Sequence, residues 1–134
     1  MPLPIADIPV SLCRGLAYLF TDIDDTLTSG GLLPDGSYAA LWALHRAGIR
    51  VVPVTGRPAG WCDHIARMWP VAGVIGENGA FYFAYDREAR RMRREYTQTE
   101  EERRRGRDAL EKVKSEVLAR VPGCAVAEIG RANV

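Results

Sequence analysis

Phe20-Thr21-Asp22-Ile23-Asp24-Asp25-Thr26-Leu27-Thr28 sets the reading of this chain. An apolar run, Leu16 to Phe20, leads straight into three carboxylates within four positions. Such a run, bounded by turn residues, predicts a buried strand over Leu16–Thr21. A buried strand gains nothing structural from clustered acids, because like charges repel and each resists desolvation. A divalent cation together with a phosphate would neutralise them. Asp22 and Asp24 are two apart, so in extended chain they share a face. There they could bind one metal while one of them attacks phosphorus.

Outward from this turn, the order of elements argues for an α/β layer. Ser29, Gly30, Gly31, Pro34, Asp35 and Gly36 make a loop. A helix over about Ser37–Ala47 follows, with Tyr38, Leu41, Trp42 and His45 at helical spacing and Gly48 where a C-terminal cap belongs. Ile49–Val54 reads as a second strand, β-branched and apolar on both faces, as strands covered by helices on both sides are. Thr55-Gly56-Arg57-Pro58 ends it and opens a second helix, with Pro58 in its first turn and Trp61, Ile65 and Met68 as its apolar stripe. Val71–Ile75 is a third strand, ending in Gly76-Glu77-Asn78-Gly79. A β-α-β-α-β order predicts a doubly wound layer.

The pattern then changes. Ala80–Tyr85 and Met92–Thr97 read as a hairpin around Asp86-Arg87. Thr99 followed three residues later by Glu102 is a capping box, opening a helix to about Arg120 with Leu110, Val113, Val117, Leu118 and Val121 as its stripe. Pro122-Gly123 breaks it, and Cys124–Ile129 is a candidate strand. The arginines between Arg87 and Arg107 are interleaved with Glu, the pattern of a solvated face.

Composition narrows the function classes. The 134 residues suit about one domain, and 47% hydrophobic with 26% charged residues is ordinary for a globular protein. A net charge of +1 gives no argument for nucleic acid or a membrane surface as partner. Three cysteines without a CxxC spacing fit a reducing, cytoplasmic setting and give no metal signature. The proline-broken N-terminus does not read as a signal peptide.

Ligands of open parallel sheets bind beyond the carboxyl ends of the strands. Three turns lie there: Asp22–Thr28, Thr55–Pro58 and Gly76–Gly79. The first offers carboxylates, the second a hydroxyl beside a helix N-terminus with free N–H groups. A carboxylate nucleophile near such an anion site suggests phosphoryl transfer through an aspartyl-phosphate.

These motifs resemble those of the haloacid dehalogenase (HAD) superfamily. Asp22-Ile23-Asp24-Asp25-Thr26-Leu27-Thr28 is similar to its first motif, and Val51-Val52-Pro53-Val54-Thr55-Gly56-Arg57 to its second. Val74-Ile75-Gly76-Glu77-Asn78-Gly79-Ala80 resembles the third-strand turn of subfamily IIB, which includes sucrose- and trehalose-phosphate phosphatases. The resemblance implies a three-layer Rossmann-like fold with a partial parallel sheet, a hairpin and the start of a C2-type α+β cap. Residues 1–97 would be core and 98–134 a cap segment. It implies Asp22 as nucleophile and Mg²⁺ ligand, and Asp24 as general acid and base that also gives the metal its backbone carbonyl. Thr55 and Gly56 would hold phosphate, with Arg57 and Asn78 as candidate substrate contacts.

The activity implied is that of a Mg²⁺-dependent phosphomonoesterase acting on a small sugar phosphate. The family's lysine and second acidic pair do not follow Gly123, so the expectation is a C-terminally truncated member. The first strand would then be an exposed edge, inviting self-association unless the N-terminal segment or Cys124–Ile129 covers it. A non-catalytic fragment acting only through assembly is the alternative. Asp25 and Glu77 read as turn formers, and His45 and His64 lack metal spacing.

Overall fold

The computed structural model describes residues 4 and 7–126. After a short helix α1, Val10–Cys13, strand β1 covers Tyr18–Thr21 and pairs in parallel with β2, Arg50–Pro53. Helix α2, Asp35–Arg46, joins them. It ends where Gly48 adopts a φ of +78°, a conformation open to glycine without a Cβ penalty. The Ile49 N–H closes back on the Leu44 carbonyl at 3.0 Å. Helix α3, Ala59–Met68, leads to β3, Val74–Gly76. A parallel bridge from Val54 to Ile75 ties β3 to the end of β2. A 3-10 turn over Glu77–Gly79 then reverses the chain into β4, Phe81–Asp86, and β5, Arg91–Tyr96, both antiparallel. The result is a mixed α/β fold with a parallel β1-β2-β3 layer extended by a hairpin, as the residue order implies.

The main core lies under α3. Ile23, Cys62, Ile65, Ala66, Val74, Phe81 and Phe83 pack together there. Ile23, in the acidic turn itself, is 2% exposed and roots that turn in the core. At Gly76 a Cβ would collide with the Phe81 ring and the Cys62 sulfur, so only glycine fits where strand meets helix. Val51, Val52 and Pro53 of β2 are all buried, the two-sided burial read from their composition.

Three expectations are corrected. Strand β1 is not buried: Tyr18, Leu19 and Phe20 are exposed, and β1 has β2 on one side and no strand on the other among the described residues. The buried stripe of α3 is Cys62, Ile65 and Ala66, while Trp61 and Met68 face outward. Residues 124–126 form no strand, and the rest of the expected Cys124–Ile129 strand lies outside the described residues. Helix α4, Glu100–Arg120, starts at the expected capping box: the Glu102 N–H donates to Thr99 Oγ1 and the Thr99 N–H to Glu102 Oε2. None of its residues is buried, its stripe included.

Candidate active site

The parallel register brings two turns together. Thr21 pairs with Pro53, and the Val54 N–H donates to the Thr21 carbonyl at 2.8 Å. Asp22 and Thr55 therefore leave the ends of adjacent strands, which lie about 4.8 Å apart in a sheet. The third turn joins them from β3: the Thr55 N–H donates to the Ile75 carbonyl, and the Asn78 N–H to the Thr55 carbonyl. All three turns singled out in the sequence thus meet at one end of the sheet.

The acidic turn is held by its own backbone. The Ile23 carbonyl accepts the N–H groups of Thr26, Leu27 and Thr28, and also the Thr28 hydroxyl at 3.0 Å. Thr28 Oγ1 in turn accepts the Asp25 N–H. Asp25 sits at a φ of +56°, the left-handed region that Asp tolerates better than most residues. Asp22 and Asp24 project from this turn as exposed side chains. The anchoring by buried Thr28 was not singled out in the sequence, where Thr28 stood only as the last residue of the acidic motif.

Thr55 is 3% exposed, and its Oγ1 accepts the Arg57 N–H at 3.1 Å, leaving the hydroxyl proton to donate elsewhere. Helix α3 has no side-chain cap at its N-terminus. Among the described residues the N–H groups of Gly56, Ala59 and Gly60 meet no protein acceptor. That is a set of donors suited to an anion. A Cβ on Gly56 would come within 3.2 Å of Asn78 Oδ1, so the second and third turns are packed too closely there for a side chain without adjustment.

Arg57 does something composition did not reveal. Its guanidinium grips Asp24 at two points, Nη2 to Oδ1 at 2.5 Å and Nε to Oδ2 at 3.1 Å. It also stacks over the Trp61 ring, 4.8 Å from the centroid. The hydrogen bond from Arg57 holds the Asp24 carboxyl below the usual carboxylate range. Arg57 was read as a substrate contact and Trp61 as packing. The structure gives Arg57 a carboxylate partner and leaves Trp61 exposed at the site's rim.

Mg²⁺ takes hard oxygen ligands and keeps several waters. Among the described residues, no three His, Cys, Asp or Glu side chains converge into a ready-made cage. The donors fit a largely hydrated ion instead: the exposed Asp22 carboxylate, and the Asp24 carbonyl, which meets no protein donor among the described residues. The side chain of Asp24 is committed to Arg57 and is not a metal donor in this arrangement.

Residues 19–118 match the family model of the haloacid dehalogenase-like hydrolases, and the chain belongs to that family. Two solved structures are similar. One is a haloacid dehalogenase-like hydrolase from B. subtilis, 27% identical, with a TM-score of 0.54; the match covers 75% of this chain and 34% of that one. The other is a phosphatase of the HAD superfamily from Bacteroides thetaiotaomicron, 24% identical, with a TM-score of 0.51; it covers 84% of this chain and 39% of that one. This chain thus spans about a third to two fifths of their lengths. No curated protein matches it. Among the described residues no helix is long and apolar enough to cross a membrane.

Proposed function

We propose that this chain carries the nucleophile side of a phosphomonoesterase site that works through an aspartyl-phosphate. The observation that supports it best is the convergence of the Asp22 turn, Thr55 and the uncapped N-terminus of α3 at one end of the parallel strands. Thr55 and the N–H groups of Gly56, Ala59 and Gly60 would bind the phosphate oxygens. An Asp22 oxygen attacks phosphorus in line; the bond to the leaving alcohol breaks as the Asp24 carboxyl gives its proton to that oxygen. Asp24, now a carboxylate, takes a proton from water. The water oxygen attacks phosphorus, the bond to Asp22 breaks, and inorganic phosphate leaves.

Asp22 and the Asp24 carbonyl would hold a Mg²⁺ ion, which supplies charge to offset the repulsion between carboxylate and phosphate. The ionised Asp24 that Arg57 favours suits the second, water-activating step. In the first step Asp24 must carry a proton against that preference. The substrate we propose is a small sugar phosphate, in line with the resemblance to subfamily IIB, in a reducing cytoplasm where Cys13, Cys62 and Cys124 stay free. Residues 1–97 would be core and 98–134 the start of a cap, a division supported by an α4 that buries none of its residues.

A second reading is favoured by one observation, the uncovered apolar face of β1. In it the chain is a non-catalytic unit that acts by self-association through this edge. Assays of phosphate release from sugar phosphates, with and without Mg²⁺, separate the two. The catalytic reading expects Mg²⁺-dependent turnover that Asp22→Asn abolishes. Equal turnover by Asp22→Asn, or none from the unaltered chain, defeats it.

A further inference from the structure

We infer that Arg57 is a positioning residue for Asp24, aiming its carboxyl at the leaving oxygen rather than serving as a substrate ligand. The inference rests on the phosphatase reading above. A carboxylate on an exposed turn is free to rotate, and proton transfer requires it within hydrogen-bond reach of the reacting oxygen. Here both Asp24 oxygens are held by the planar fork of one guanidinium. Two-point pairing of this kind fixes orientation as well as charge.

The clamp is itself rigidly mounted. The Arg57 N–H is tied to Thr55 Oγ1, and the Arg57 carbonyl accepts the Glu77 N–H at 3.2 Å and the Cys62 thiol at 3.6 Å. Trp61, in the first turn of α3, lies under the guanidinium. Arg57 thus links all three turns of the site and braces the one side chain proposed to move a proton. Two of its five N–H donors, on Nε and Nη2, are spent on Asp24 and are not aimed at an anion. Trp61 gains a role in the same account: its exposed ring limits where the guanidinium can go.

The test compares kcat/KM for a hexose phosphate, whose alkoxide leaving group needs a proton, with that for p-nitrophenyl phosphate, whose leaving group does not. This constant reports steps up to departure of the leaving group, so it isolates the acid role of Asp24. Arg57→Ala is expected to lower the hexose phosphate value by about 10-fold or more and the aryl value by less than about 3-fold. Arg57→Lys, which keeps the charge without the fork, should recover part of the loss. Trp61→Ala should give a smaller loss of the same kind, about 2- to 5-fold.

Equal losses on both substrates, no loss, or faster hexose phosphate turnover in Arg57→Ala would overturn the inference. A readout independent of turnover is the Arg57 Nε–H resonance in nitrogen-labelled chain. It should stand apart from the solvated arginines and move to join them in Asp24→Asn. A resonance already among them in the unaltered chain also overturns it. Failure of the phosphatase reading is distinct: it shows as an inactive unaltered chain or as full activity in Asp22→Asn.

Discussion

At one edge of the sheet stands β1, with Tyr18, Leu19 and Phe20 exposed; at the other stands β5, where Arg91, Arg93, Arg94 and Glu95 meet solvent. Both strands pair on one side only among the described residues. Charged side chains blunt an edge against further pairing, and β5 carries them almost without interruption. Arg93 pairs with Glu95, and Arg94 reaches across to Asp63 on α3. β1 has no such protection. Its residues are those of an interior strand, and the proposed catalytic turn hangs from its end. The difference is that β5 presents charge along its open side, whereas β1 presents apolar side chains.

The sharpest contrast is between two phenylalanines. Phe83 on β4 is 1% exposed and stacks on Phe81 at 4.4 Å, whereas Phe20 on β1 is 62% exposed. Phe83→Ala should cost about 3–5 kcal/mol in denaturant unfolding, and Phe20→Ala less than about 1 kcal/mol. Similar costs for the two would mean that Phe20 is covered in solution. The second prediction charges the apolar edge. Leu19→Lys with Phe20→Lys should weaken self-association by about 100-fold, some 2.7 kcal/mol, in sedimentation equilibrium. If the unaltered chain sediments as a monomer with β1 open, the proposed self-association fails.

Two smaller effects probe the guarded side. Helix α4, which follows β5, buries none of its residues, so its start depends on the Thr99–Glu102 capping box. Thr99→Ala should cost about 1 kcal/mol and reduce helical circular dichroism. Asp63 bridges Arg67 within α3 and Arg94 on β5, and the Arg67 hydrogen bond is the main cause of its lowered pKa. A carboxylate whose folded pKa is lowered contributes stability above its unfolded value, 3.8 here, and that contribution fades as pH falls through the folded value. Asp63→Asn should therefore lose roughly 0.5 kcal/mol at neutral pH, given the exposure of both arginines. It should also unfold less steeply than the unaltered chain below about pH 4.

Much of this was legible in the sequence, because the signals were local. The Gly48 cap, the Thr99 box, the two-sided apolar β2 and the Asp86 turn each follow from a few neighbouring residues, and each was found in place. Burial of β1 was misread because composition shows what a strand is suited to, not what lies beside it. The stripe of α3 was misread because large residues, Trp61 and Met68, were preferred over the small Cys62 and Ala66 that let helix and sheet approach. The three turns of the site could be named from their spacing. The Arg57–Asp24 pair could not, since it joins residues 33 apart whose meeting depends on the parallel register.

The most direct measurement asks where the phosphoryl group goes. The chain is mixed with a sugar phosphate and Mg²⁺, quenched in acid, and digested for mass spectrometry. The account predicts a phosphoryl adduct on the peptide holding Asp22, absent from Asp22→Asn. Hydrolysis that proceeds with the adduct on another residue, or equally well in Asp22→Asn, would contradict it.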